Sequence, residues 1–141
     1  MYFDSAEEVT HVLHEEPKRI VFLITSGGLG REVVPKVNEL VHISRIYIFC
    51  VNVDANKEWS KQYNKVQEVF NLEDDLYKQL ADDLARVYVQ QANSCVKDDN
   101  RGIGRLLYND ARQLLINILR LQDNHHRVQE IDEQLTLMDA I

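Results

Sequence analysis

The sequence predicts an α/β fold: a parallel sheet of three to five strands followed by a C-terminal helical hairpin. Two short, almost wholly apolar runs carry the prediction, Ile20-Val21-Phe22-Leu23-Ile24 and Arg45-Ile46-Tyr47-Ile48-Phe49-Cys50-Val51. Both are rich in β-branched and aromatic residues, both are too short for helices, and neither alternates apolar with polar. That is the pattern of strands buried on both faces, as in a parallel sheet covered by helices. Helical patterns lie between and after them, giving the alternation of helix and strand expected of an open, wound sheet.

Each element follows from local chemistry. A helix is expected over Ser5 to Glu16, where Asp4-Ser5 is a capping pair and Glu7-Glu8 suits a helix N-terminus. Its apolar residues Val9, Val12 and Leu13 fall at i, i+3, i+4, and Pro17 stops it. Met1-Tyr2-Phe3 is a candidate preceding strand. After the first apolar run, a loop Thr25-Ser26-Gly27-Gly28-Leu29-Gly30 leads to a helix over Arg31 to His42, with Pro35 near its first turn and Val37, Leu40 and Val41 on one face. Lys57 to Lys65 is a third helix carrying Trp59 and Tyr63, and Val66 to Phe70 a third strand. From Leu72 the stripe Leu76, Leu80, Leu84, Val87, Gln91 marks a long amphipathic helix to about Cys95. A polar turn spans Val96 to Gly104. A second long helix starts near Arg105, and its continuation sets Val128, Ile131, Leu135 and Met138 at heptad-like spacing. Residues 1–71 are therefore expected to form the α/β core. Residues 72–141 form the helical hairpin and an extended last helix, within the same single domain.

Composition excludes several function classes. The net charge of −7 over 141 residues argues against a nucleic-acid partner, since phosphate binding needs a basic patch. It argues equally against an anionic membrane surface, and the longest apolar runs fall far short of the roughly 20 residues that span a bilayer. The acidic, polar N-terminal stretch has the character of neither a signal nor a transit peptide. Cys50, at the end of an apolar run, is expected to be a buried free thiol, which suits a reducing compartment and a cytoplasmic location.

Sites are sparse. The segment Thr25, Ser26, Gly27, Gly28, Gly30 and Arg31 is the ligand-binding candidate, because ligands gather at the C-terminal edges of parallel strands and glycines let backbone N–H groups face an anion. It matches neither the dinucleotide fingerprint nor the P-loop, and the simpler reading is a tight turn that needs glycine for its backbone angles. No catalytic residue, metal site or cofactor is called for. Ser26 lies outside a nucleophile elbow. Asp74-Asp75, Asp82-Asp83 and Asp98-Asp99 are sequence neighbours that diverge on a helix, and His125-His126 has no further ligand at metal-site spacing. His11 and His14, at i, i+3 beside Glu7 and Glu15, are the other weak metal candidate. Trp59 is expected to pack on the sheet or to form an exposed hot spot. The stripe Val128, Ile131, Leu135 and Met138 needs a partner to bury it, either its own domain or another copy.

The run from Val21 to Phe70 resembles an N-terminal α/β module of large invertebrate, rotifer-type multidomain proteins that carry tetratricopeptide repeats or ADP-ribosyltransferase domains. The matching residues are Phe22, Ser26, Gly27, Leu29, Gly30, Val34, Pro35, Ile46 to Cys50, Asn52, Trp59, Lys65, Val66, Val69 and Phe70. The resemblance implies no assigned activity, and in that module a further strand and helix precede this region. By fold analogy the strand order is flavodoxin-like and resembles a bacterial receiver domain. There the phosphoacceptor position falls at Thr25-Ser26, which makes the chain a pseudo-receiver. The function these observations predict is a non-catalytic protein-interaction or oligomerisation module of a larger signalling protein. The alternative is a nucleotide- or NAD-handling domain built on Thr25 to Arg31.

Overall fold

The computed structural model describes residue 3, residues 5–15 and residues 19–139. The chain divides into two compact units, Met1–Leu76 and Tyr77–Ile141, so the boundary lies inside a helix that was expected to belong wholly to the second half.

In the first unit, helix α1 spans Ala6–Glu15, and the Ser5 hydroxyl accepts the Glu8 N–H at 3.2 Å, so Ser5 is its cap. Asp4, Pro17 and most of the candidate first strand lie outside the described residues, and Phe3 has no regular structure. Three strands follow, β1 (Val21–Ser26), β2 (Ile43–Phe49) and β3 (Val66–Phe70), all parallel and in the order β1-β2-β3. They are connected by α2 (Gly27–Val37) and α3 (Val53–Ser60). Ala6, Val9 and Leu13 of α1 and Val33, Val34 and Val37 of α2 close one core with Ile43, Ile46, Ile48, Val66 and Val69 of the sheet, with Trp59 of α3 packed against it. The three helices therefore share one sheet face. Phe22 and Tyr47 stack on the other, their ring centroids 6.3 Å apart.

Two helices start earlier than expected. Helix α2 begins inside the glycine run, so Gly27, Gly28 and Gly30 are helical and Pro35 lies late in the helix, not in its first turn. Helix α3 begins at Val53 because the Asn52 side chain accepts the Ala55 N–H at 3.1 Å, and it ends at Ser60, leaving Tyr63 outside it. The register also explains why the strands do not alternate. Val21 pairs with Ile43 but Phe22 with Arg45, so Ser44 is an extra residue in β2. Ile46 pairs with Val66 but Ile48 with Val69, so β3 carries a further extra residue. Inward-facing Ile43 and Ile46, and Val66 and Val69, are consequently three residues apart, while Ile46 and Ile48 keep the ordinary two.

In the second unit, α4 (Glu73–Lys97), α5 (Arg101–Gln113), a wide π-helical turn Leu114–Ile118 and α6 (His126–Asp139) enclose a second core of Ala85, Ala92, Tyr108, Ala111, Leu115, Val128, Ile131 and Met138. Helix α5 runs back along α4, and Gly104 lets them meet: a Cβ there would lie 3.1 Å from a Val96 methyl and 3.4 Å from the Ala92 carbonyl oxygen. Helix α6 then returns along α5, tied by Arg112 to Asp132 at 2.7 Å and by Arg105 to Asp139, and it meets α4 through Arg127 and Asp82 at 2.5 Å. The last helix is thus folded into its own unit and is not the extended continuation expected. A left-handed residue, Arg120 at φ 60°, follows the π-turn, and the Leu121 N–H bonds the Leu115 carbonyl at 3.0 Å.

The expected long polar turn shrinks to Asp98–Asn100. Asp99 sits at φ 61°, with the Asn100 N–H on the Cys95 carbonyl (2.7 Å) and its own N–H on the Val96 carbonyl (3.1 Å). This is a Schellman ending with aspartate where glycine is usual. Asp99→Gly should raise stability by about 1 kcal/mol by removing the left-handed penalty. A lowered midpoint in urea would show that the aspartate side chain contributes more than its backbone strain costs.

Candidate functional site

The ligand-binding candidate lies where β1 and β2 end and α2 and α3 begin. Ser26 caps α2, its hydroxyl accepting the Leu29 N–H at 3.2 Å. Thr25 is buried and donates its hydroxyl to the Ser26 carbonyl at 3.2 Å. No glycine has a positive φ, so the glycines serve space and not backbone angle. A Cβ at Gly27 would fall 2.4 Å from Asn56 Oδ1, and one at Gly30 would fall 2.9 Å from the Thr25 methyl and 3.5 Å from the Trp59 ring. Gly28 differs: it is exposed, and a Cβ there would meet nothing within 4 Å.

Sequence reasoning missed the residue that organises this edge. Asn56 Oδ1 accepts the Trp59 indole N–H and Asn56 Nδ2 donates to the Asn52 carbonyl, both at 2.8 Å. The spacing Asn52, Asn56, Trp59 at i, i+4, i+7 is the only signal that could have exposed it. Trp59 is thereby fixed half-buried against the core, edge-on to Tyr63 at 6.3 Å, with the Arg31 guanidinium 6.0 Å from its ring centroid. Cys50, expected to be buried, is half-buried beside it. Burial pushes its thiol pKa up, and a hydrogen bond with Asn56 offsets part of the rise.

The partner-binding residues lie elsewhere. Val128, Ile131 and Met138 are buried in the second core, and Leu135 is packed against it. Their stripe covers their own unit. His125 and His126 stack at 4.5 Å, and His125 Nδ1 accepts the Arg127 N–H at 3.2 Å. They line a cavity of about 730 Å³ between α4 and α6, where Arg86 and Arg127 both face Asp82. His11 pairs with Glu15 at 3.1 Å, and His14 contacts the Thr10 carbonyl. Among the described residues, no group of three His, Cys, Asp or Glu side chains is placed to hold a metal ion, and no helix is long and apolar enough to cross a membrane. Asp82 and Asp83 diverge as neighbours on a helix do: Asp82 faces the arginines, while Asp83 is buried and accepts Gln79 Nε2 at 3.2 Å.

No known family, curated protein or solved structure matches this chain.

The geometry makes one stability prediction. Gly30→Ala should cost about 1–3 kcal/mol, because a methyl there overlaps Thr25, itself pinned between β1 and α2. Gly28→Ala, facing open space, should not destabilise α2. Equal midpoints for the two variants in urea would show that Gly30 is not a spacing residue.

Proposed function

We propose that the chain is a non-catalytic protein-interaction or oligomerisation module of a larger signalling protein. The observation that carries this reading is how polar and apolar groups are distributed. At the C-terminal edge of the sheet, the Thr25, Ser26 and Asn52 side chains bond the local backbone, and Asn56 bonds the Asn52 carbonyl and the Trp59 indole. At the surface, large apolar side chains stay exposed, among them Ile20 and Ile24 about β1, at 49% and 46% exposed, and Ile103 and Leu106 at i, i+3 on α5, at 50% and 64%. Apolar residues that adjoin at a surface are what a partner covers. The flavodoxin-like, receiver-like likeness belongs to the same reading. Where a receiver keeps its phosphoacceptor, both hydroxyls here are engaged with the backbone.

The nucleotide- or NAD-handling alternative draws on one observation, the open face of Gly28 in the first turn of α2. Two measurements separate the readings. Thermal unfolding with a panel of nucleotides, NAD and phosphate should show no shift. A ligand at ten times its dissociation constant would add about 1.4 kcal/mol, and such a gain, lost in Arg31→Glu, would replace the interaction reading with its rival. Light scattering of the whole chain, alone and as Leu106→Glu, then distinguishes self-association from a foreign partner.

A further inference from the structure

The cavity of about 730 Å³ in the helical unit has an apolar floor and walls charged in a fixed order. Helix α6 packs along α5 and is joined to α4 by Arg127 and Asp82, which leaves a groove between the two walls further along. Tyr108, Leu115 and Ile131, all buried, form the floor. The Tyr108 hydroxyl donates to Asn93, which holds the ring in place. Leu115 belongs to the π-helical turn, a distortion that recurs at functional sites.

At one end two arginines share one carboxylate. Asp82 Oδ1 lies 2.5 Å from Arg127 Nη1 and 3.5 Å from Arg86 Nε. Arg86 is the less committed of the two. Its side chain is 58% exposed and its guanidinium donates no hydrogen bond to any described residue, which leaves the planar fork for an incoming carboxylate. The stacked His125–His126 pair lies at this same end. Along α6 the sign changes. At 1.5 Å per residue, Glu130 and Glu133 stand about 4.5 and 9 Å beyond Arg127 on the cavity wall, and both are exposed. Between the ends, Gln90 and Gln134 offer amide groups to a peptide backbone. Counting arginines and carboxylates alone, Arg86 and Arg127 face Asp82, Glu130 and Glu133. A bare anion is therefore repelled, and a ligand that brings its own cation is favoured.

We propose that this groove captures the C-terminal end of a partner protein, with its terminal carboxylate on Arg86, an apolar last side chain on the floor, and a lysine or arginine two residues upstream beside Glu130 and Glu133. The proposal rests on the interaction reading above and names its surface. Spacing selects a peptide. In a free amino acid the ammonium and the carboxylate share one carbon, too close to reach both ends of the groove. In an extended chain two residues span about 7 Å, which matches the step from the arginine end to the two glutamates. A phosphate brings about two negative charges to walls where carboxylates already outnumber arginines, so the nucleotide panel should still show no shift.

The test is an NMR titration of the full chain with the peptide acetyl-Gly-Ser-Lys-Ala-Leu, ending in a free carboxylate, at up to millimolar concentration. Signals of Tyr108, Leu115 and Ile131 should shift. Amidation of the peptide C-terminus should weaken binding by at least about tenfold, because it removes a charge-assisted pair. In Arg86→Gln, the free and amidated peptides should bind alike, since the partner of the carboxylate is gone. Replacing the peptide lysine by glutamate should weaken binding by about threefold at low salt, and Glu133→Lys should reverse that preference. Four outcomes overturn the proposal: no shift at the three floor residues, equal binding of the amidated peptide, discrimination retained in Arg86→Gln, or acetyl-leucine binding as tightly as the peptide. The last would make the ligand a small carboxylate and not a protein terminus. Each removes this groove as the partner surface while leaving the interaction reading to the light-scattering and ligand-panel measurements.

Discussion

Val128→Asp should unfold the helical unit. Val128 is fully buried among Ile131, Leu115 and Tyr108, and the hydrogen-bonded or charged partners described nearby are already taken: Arg127 by Asp82 and Arg112 by Asp132. An unpaired carboxylate in such a site costs about 4 kcal/mol or more, a large share of the 5–15 kcal/mol that holds a typical domain together. The effect also bears on function. If the stripe of Val128, Ile131, Leu135 and Met138 faced a partner, the aspartate would leave a folded protein that no longer associates. Far-UV circular dichroism in urea separates the cases, and an unchanged midpoint would falsify the placement of Val128 in the core.

Ile48→Ala should be the counterpart in the α/β unit. Ile48 is fully buried in the middle strand, paired with Thr25 on one side and Val69 on the other, and it faces the helical layer. Removing three carbons from such a site costs about 2–5 kcal/mol, with the spread set by how far the surroundings collapse. The two variants together address cooperativity. Loss of one transition with the other unmoved means two domains, whereas a single transition shifted by both means one. A loss below 1 kcal/mol would mean that the sheet face at Ile48 is looser than its burial indicates.

Much of the fold was legible for physical reasons that can be named. The first two strands stood out because β-branched and aromatic runs of that length have no helical periodicity, and the weaker signal at Val66–Phe70, interrupted by Gln67 and Glu68, coincides with the observed bounds of β3. Helix α1 was marked by Ser5 and its following glutamates. The start of α2 is hidden because a glycine run has the composition of a loop, whereas Ser26 caps a helix in which Gly27 and Gly30 give clearance against Asn56 and Thr25. The break before α6 was hidden because neither glycine nor proline marks it. Arg120 takes the left-handed position, and the apolar run through Leu114 to Leu119 reads as one continuous helix. The stripe on α6 was legible as a stripe, but spacing alone is the same whether a helix faces its own core or another chain. The candidate site was legible only in part. Thr25 to Arg31 were recognised, but the Asn52–Asn56–Trp59 bridge depends on where α3 begins, and that required the cap at Asn52.

The extra residue at Ser44 has an evolutionary consequence. Removing one residue from a strand normally turns every later side chain to the wrong face, which is why lineages shorten loops and spare strands. Here Ile43 and Ile46 both face the helices with two residues between them. Deleting Ser44 would restore simple alternation and leave each remaining side chain on its present side. The middle strand of this sheet is therefore a place where a single-codon deletion can be accepted, and descendants of this sequence that are one residue shorter at this point should keep the same core.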